Sequence, residues 1–244
     1  MTAAQPDAPV HLAASAAPRN PPLAVGEHPA YSPAMSRSPS DVPNPAVRRL
    51  SLYLRQLETL AATDVATVSS RKLAQSLNLT DAQVRKDLAY FGQFGRPGVG
   101  YEVVPLIQRL RGIFGTDRTT HTLIVGAGNL GRAVAAYGGF RAKGFELVAV
   151  FDSDEKKIGR KVARLPVQPL EALPDVINKH DVRMAILAVP AGAAQAVADR
   201  LIELGIRGIL NFAPTPLQVP SSVTTRSVDV AAELEQLSFL TSAE

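Results

Sequence analysis

The sequence predicts an α/β protein: a small helical domain closed by a β-ribbon, then a parallel sheet with helices on both faces. Three observations carry this. From His121 onward, apolar runs of buried-strand length ("HTLIVGAG", "FELVAVFD", "MAILAVP", "GILNFAP") alternate with helical stretches such as "AAQAVADRLIELG". Directly after the first run, glycines recur at 126, 128 and 131. Ahead of it, "QVRKDLAYFGQFGRPGVGY" packs basic, aromatic and glycine residues into a helix and a hairpin.

With 244 residues, 46% of them hydrophobic, the chain can bury a core and divide into one large or two modest domains. No stretch reaches the roughly 18 to 20 apolar residues of a membrane helix, and the N-terminus lacks a basic region followed by an apolar run. A cytoplasmic protein is expected. The lack of cysteine excludes disulfides, thiolate chemistry and cysteine-rich zinc sites, and no metal site is expected. A net charge of +4 and a pI near 9.5 are modest for a nucleic-acid binder, so the distribution of charge matters more than its total.

Residues 1–44 are rich in Pro, Ala and Ser, cannot offset their ordering entropy, and read as a disordered tail. A second methionine, Met35, is a candidate natural start. From Asn44 the pattern turns helical: Asn44 is placed to cap, Pro45 fits the first turn, and Val47, Leu50, Leu54 and Leu57 recur at helical spacing. A short helix follows the Ser69 and Ser70 caps. A third starts at Thr80, where "TDAQ" matches a capping box, and stops near Gly92. The glycine-turned ribbon comes next, and Pro105 opens a helix to about Phe114. Residues 45–115 thus form the first domain and residues 116–228 the parallel sheet, with residues 229–244 following it.

The spacing Gly126-x-Gly128-x-x-Gly131 lies after a strand and at the mouth of a helix. There the first glycine permits the turn, the second lets backbone approach a pyrophosphate, and the third allows close helix packing. Ala127, Asn129 and Leu130 fill the loop. Asp152 ends the next strand, 21 positions after Gly131, where a carboxylate accepts hydrogen bonds from the adenine ribose. It favours NAD(H) over NADP(H), with Lys156 and Lys157 close by. Pro190 and the run Asn211, Phe212, Ala213 and Pro214 close two later strands and are expected to face the nicotinamide, although ordinary strand-end turns explain them as well. An apolar lining there favours neutral NADH over cationic NAD+.

A dehydrogenase on this fold usually needs a positioned acid or base. His11 and His28 fall in the tail, while His121 and His180 precede strands, at the edge opposite the crevice. Catalysis is therefore disfavoured, and about 125 residues leave little room for a substrate domain. The helix from Thr80 places Val84, Leu88 and Phe91 on one face and Lys86 and Ala89 on the other, with Arg85 on the flank. Residues 46–96 hold eight Lys/Arg against four Asp/Glu, and three helices followed by a ribbon is the order of a winged helix. Arg96 lies near the wing tip. A small NAD-dependent dehydrogenase and a structural nucleotide-binding subunit are the competing readings.

From "QVRKDLAYFGQFGRPGVGY", "IVGAGNLG", "GILNFAPTPLQVP" and "SVDVAAELEQLSF" in this order, the chain resembles the Rex family of redox-sensing bacterial repressors over about residues 45–242. The resemblance implies a winged helix that reads palindromic operator DNA and a Rossmann domain that senses NADH against NAD+. It also implies a homodimer that exchanges C-terminal helices, with no enzymatic activity. Gln83, Arg85, Lys86, Tyr90 and Arg96 then contact DNA. Arg55, Tyr137 and Asp229 occupy positions that resemble the family's switch, in which the aspartate pairs with the arginine in one state and the tyrosine in the other. Pro97, Asn129 and Val230 depart from the pattern many relatives show.

Overall fold

In the computed structural model, which describes residues 42–96 and 98–242, the folded chain opens with helix α1 (Asn44–Ala61). Residues 1–41 of the expected tail, including Met35, and also Pro97, lie outside the described residues, while Val42 is already buried. Ala46, Leu50, Tyr53, Leu54 and Leu57 recur every three or four positions and turn one face of α1 inward. Asn44 does not cap as expected. Pro43 holds that position and its carbonyl takes the first-turn amides of Ala46 and Val47. The Asn44 Oδ1 instead accepts a hydrogen bond from Arg226 Nη2 at 2.7 Å.

Strand β1 (Thr67–Val68) leads to α2 (Ser70–Gln75), capped by Ser69, whose Oγ accepts from the Lys72 amide at 3.1 Å. In α3 (Asp81–Ala89) only half of the expected capping box forms. Thr80 Oγ1 accepts from the Gln83 amide, but the Gln83 side chain turns to Asp87 rather than back to Thr80. The helix ends at Ala89, short of Gly92, whose φ of +128° bends the chain into the ribbon. There β2 (Gly95–Arg96) pairs antiparallel with β3 (Gly100–Glu102), and β1 joins the other side of β3. Helix α4 (Val103–Phe114) starts two residues before Pro105.

These four helices share a core that includes Leu50, Leu57, Leu73, Val84, Leu88 and Leu110. One full charge sits in it. Asp87 is 0% exposed, and Arg49 Nε and Nη2 donate to its Oδ2 and Oδ1 at 2.6 and 2.8 Å. Tyr53 Oη donates to Oδ2 at 2.7 Å and Gln83 Nε2 to Oδ1 at 2.7 Å. Burial opposes the Asp87 charge, yet the hydrogen bonds from Arg49, Tyr53 and Gln83 outweigh it and hold the carboxyl below its ordinary range.

The second layer system is a seven-stranded sheet. It comprises β4 (Thr120–Val125), β5 (Phe145–Phe151), β6 (Lys161–Val162), β7 (Leu165–Gln168), β8 (Met184–Leu187), β9 (Gly208–Asn211) and β10 (Thr224–Ser227). Spatial order is β10-β9-β8-β4-β5-β7-β6, parallel except for β6. Helices α5 (Asn129–Ala135), α6 (Leu173–His180) and α7 (Ala191–Glu203) connect the strands, and α8 (Val230–Thr241) follows β10. One face carries the larger core, in which Leu123, Phe151, Leu187 and Ile209 meet Leu173 and Leu201. On the other, Ile124, Val150 and Ile186 meet Val134, Ala135 and Phe140. His121 lies within β4 rather than ahead of it, and its Nδ1 sits 2.6 Å from the carbonyl of His180, the last residue of α6. No helix among the described residues is long and apolar enough to cross a membrane.

Glu58 joins the two parts: it accepts from Arg111 Nη2 of α4 at 2.9 Å and from Lys143, in the turn before β5. The Asp87 cluster makes a stability prediction. Replacing Asp87 by Ala leaves Arg49 and Tyr53 without their acceptor, which costs about 3–5 kcal/mol in urea unfolding at neutral pH. Because the folded carboxyl titrates below its unfolded value, its contribution is complete above about pH 4. It is lost as pH falls through the lower folded value. The gap between wild type and Asp87→Ala therefore narrows in acid.

Candidate dinucleotide site and nucleic-acid interface

Four loops leave the carboxyl ends of adjacent parallel strands β9, β8, β4 and β5. Chain connection reverses direction at β4, so these loops line the crevice where open α/β sheets bind ligands. In spatial order they carry Asn211, Pro190, the Gly126–Gly131 loop and Asp152.

The glycine loop is built for close approach. Gly126 has φ +106°, and a Cβ there would lie 2.2 Å from the Ala188 carbonyl oxygen. A Cβ on Gly131 would lie 1.8 Å from the Gly126 carbonyl oxygen, so the α5 backbone rests directly on the turn. Gly128, the N-cap of α5, differs: nothing in the protein comes within 4 Å of its absent Cβ. That space stands open to a ligand beside exposed Asn129 and Leu130.

Asp152 follows β5 directly and is buried. Its Oδ2 accepts from the Ala127 amide at 2.7 Å and from Lys157 Nζ at 3.0 Å, and its Oδ1 accepts from the Asp154 amide at 2.9 Å. Burial opposes its charge, but the bonds from Asp154, Ala127 and Lys157 prevail and hold the carboxyl below its ordinary range. An ionised acid thus anchors the glycine loop at the carboxyl end of β5. The sequence had marked Lys157 only as a neighbour; its spacing of five from Asp152 allows the ion pair.

Pro190 caps α7. Asn211 is fully buried and closes its own turn: Nδ2 donates to the Thr215 carbonyl at 2.8 Å and Oδ1 accepts from the Ala213 amide at 2.9 Å. Phe212 is half-buried with its amide on the Leu187 carbonyl, Ala213 is buried, and Pro214 is exposed. Asn211 therefore shapes the loop with its side-chain amide already engaged.

At the other end of the chain, Arg85 and Lys86 are exposed on α3, Arg96 is exposed on the wing, and Tyr90 is half-buried. Arg85 Nη1 donates to Asp81 Oδ2 at 2.6 Å and to Ser70 Oγ at 3.1 Å, which leaves Nε and Nη2 for another acceptor. A crevice of about 610 Å³ separates α3 from the wing, lined by Arg85, Ala89, Arg96 and Gly98 and also by Ser69 and Ser70. From spacing the two serines are caps and no more, because nothing in it shows that α2 starts beside the wing.

Arg55 is exposed on α1. Tyr137 is 60% exposed and meets Phe140 edge-on, with ring centroids 5.1 Å apart. Asp229 caps α8, accepting from the amides of Ala231 and Ala232. Among the described residues, no hydrogen bond or ion pair joins any two of these three.

A winged helix and a dinucleotide-type Rossmann sheet in one chain define the class of nucleotide-responsive DNA-binding regulators. Residues 117–215 match the CoA binding domain family, and residues 41–89 match the family described as the N-terminus of a putative DNA-binding protein. The chain is 50% identical over 198 residues to the redox-sensing transcriptional repressor Rex of Carboxydothermus hydrogenoformans, covering 81% of this chain and 95% of that protein. It is 46% identical over 202 residues to the Rex of Chloroflexus aurantiacus, with 83% and 95% covered. Among solved structures, it is similar to the Rex-family repressor RSP in complex with β-NAD+ and operator DNA, with TM-score 0.78, 40% identity, and 82% and 92% of the two chains covered. The complex of RSP with β-NADH gives 0.74, 38%, 82% and 94%. The chain belongs to the Rex family of redox-sensing transcriptional repressors.

The glycines make separable predictions. Gly131→Ala drives a Cβ into backbone, so thermal unfolding should show a clear loss of stability. Gly128→Ala meets no protein atom and has an ordinary φ of −74°, so stability should hold while NADH binding, followed by nicotinamide fluorescence, weakens about tenfold or more.

Proposed function

We propose that this protein is a repressor that grips palindromic operator double-stranded DNA through its winged helix and releases it when NADH occupies the Rossmann crevice. NAD+ leaves the operator bound. The observation that carries the reading is the single chain in which a helix exposing Arg85 and Lys86, and a wing exposing Arg96, accompany four strand-end loops in dinucleotide order. Family membership supports it, as do the RSP complexes named above.

In this reading Gly126, Ala127, Gly128, Asn129, Leu130 and Gly131 surround the pyrophosphate, and Asp152 receives the adenine ribose. Pro190, Asn211, Phe212, Ala213 and Pro214 border the nicotinamide, whose oxidation state is read and not changed. Gln83, Arg85, Lys86 and Tyr90 face the major groove, and Arg96 reaches from the wing. Arg55, Tyr137 and Asp229 exchange partners between the two states. The site of action is the cytoplasm, and the protein is not an enzyme.

The working unit in this reading is a homodimer with exchanged C-terminal helices. Helix α8 buries none of its side chains: Val230, Leu234, Leu237, Phe239 and Leu240 are 56 to 78% exposed. Such a helix needs a partner. On the sheet face against which α5 packs lies an apolar groove of about 370 Å³, lined by Phe140, Phe145, Leu147, Met184, Ile186 and Leu210. Thr122 Oγ1, also lining it, is buried with no hydrogen-bond partner. The α8 of a second subunit fits this groove.

Two measurements check the reading. In fluorescence anisotropy of a labelled palindromic duplex at fixed salt, NADH should displace the protein at concentrations where NAD+ does little; equal effects, or none, would refute redox sensing. In sedimentation equilibrium, Leu234→Asp with Leu237→Asp should shift the protein from dimer to monomer, and an unchanged dimer would remove α8 from the interface.

A further inference from the structure

Gln83 is the third residue of α3, in the first turn, where the side chains of a recognition helix meet base edges. It is half-buried, and its amide is not free to turn. Nε2 donates to Asp87 Oδ1 at 2.7 Å. A carboxylate only accepts hydrogen bonds, so the amide nitrogen must face Asp87 and the amide oxygen must face away. Asp87 cannot yield: Arg49 holds both of its oxygens, Tyr53 Oη donates to one of them, and the carboxylate is sealed from water. One N–H of Gln83 then remains for another acceptor, and Oε1 accepts in its own right.

That pair of groups has a complement. In the major groove adenine offers an N6 amino donor beside the N7 acceptor, whereas guanine offers two acceptors. We infer that Asp87 is a positioning residue for base readout: it fixes the Gln83 amide in the orientation that pairs bidentately with adenine. Arg49 and Tyr53 hold Asp87 in turn. The inference rests on the reading of α3 as a DNA-recognition helix. A buried ion pair that only fastened α1 to α3 would support folding and leave base preference unmoved.

The test uses the full chain and a set of duplexes in which each base pair of the operator half-site is replaced in turn, at one salt concentration. Wild type should prefer A·T at one position by about 5- to 150-fold. Gln83→Met should lose that preference at that position only. Asp87→Asn gives the neighbouring amide a donor as well as an acceptor, so Gln83 can turn over; it should lose the same preference, and the double variant should be no worse than Gln83→Met alone. Asp87→Asn that weakens every duplex equally while keeping the preference would overturn the inference, as would Gln83→Met with preference intact. Should Asp87→Asn not fold, side-chain amide exchange in ¹⁵N-labelled wild type decides. One protected Gln83 proton is expected, and two protons exchanging like an exposed glutamine would refute it. Wild type that discriminated among none of the duplexes would overturn instead the DNA-binding reading beneath it, a separate and recognisable result.

Discussion

Helix α1 is fastened by charge at two places, and the rest of the molecule is arranged around it. Through Arg49 and Tyr53 it holds the buried carboxylate of Asp87 on α3. Through Glu58 it holds Arg111 of α4 and Lys143 of the nucleotide-binding part. Arg49 and Glu58 lie nine positions apart on the helix, about 13.5 Å at 1.5 Å per residue. Sliding α1 against α3 would unpair Asp87, which burial makes costly. Glu58 is likewise held ionised: burial opposes its charge, and Lys143 and Arg111 overcome that opposition. The recognition helix and the nucleotide fold are thereby referred to one rigid element, the kind of connection by which two sites can bias a common equilibrium.

The nucleotide site depends on a comparable economy of contacts. Asp152 anchors the Ala127 amide of the glycine loop, while Asn211 spends its side chain on its own turn. Parallel pairing of β9, β8, β4 and β5 sets these loops side by side. Reading an oxidation state asks the crevice for discrimination between a neutral and a cationic ring, which needs no catalytic acid or base. The two histidines of the sheet region lie at its amino-terminal edge, bonded to each other's element.

Much of this was legible in the sequence, for physical reasons that differ by element. The four central strands carry apolar side chains on both faces and so read as continuous apolar runs; the edge strands β10, with "TTRS", and β6 lack that signature, as does β7, interrupted by Pro166 beside β6. Spacing marked the glycine turn and Asp152: close backbone contacts impose Gly126 and Gly131, and Asp152 follows β5 directly. It could not disclose Asp87, since an aspartate four residues after a glutamine on a helix is ordinarily solvated. Only the packing of α1 makes it the buried centre of the domain. Asn44 failed as a cap because the preceding proline supplies the carbonyl, and the resemblance to the family, not spacing, singled out Arg55, Tyr137 and Asp229.

The central claim is that NADH and operator DNA compete through one coupled equilibrium, and reciprocity makes it directly measurable. NADH affinity should be determined by isothermal titration calorimetry with and without saturating operator duplex. Operator should weaken NADH by the same factor by which NADH weakens operator, about 5- to 150-fold for a coupling of about 1–3 kcal/mol. An NADH affinity unchanged by operator would contradict the account, whatever each ligand does alone.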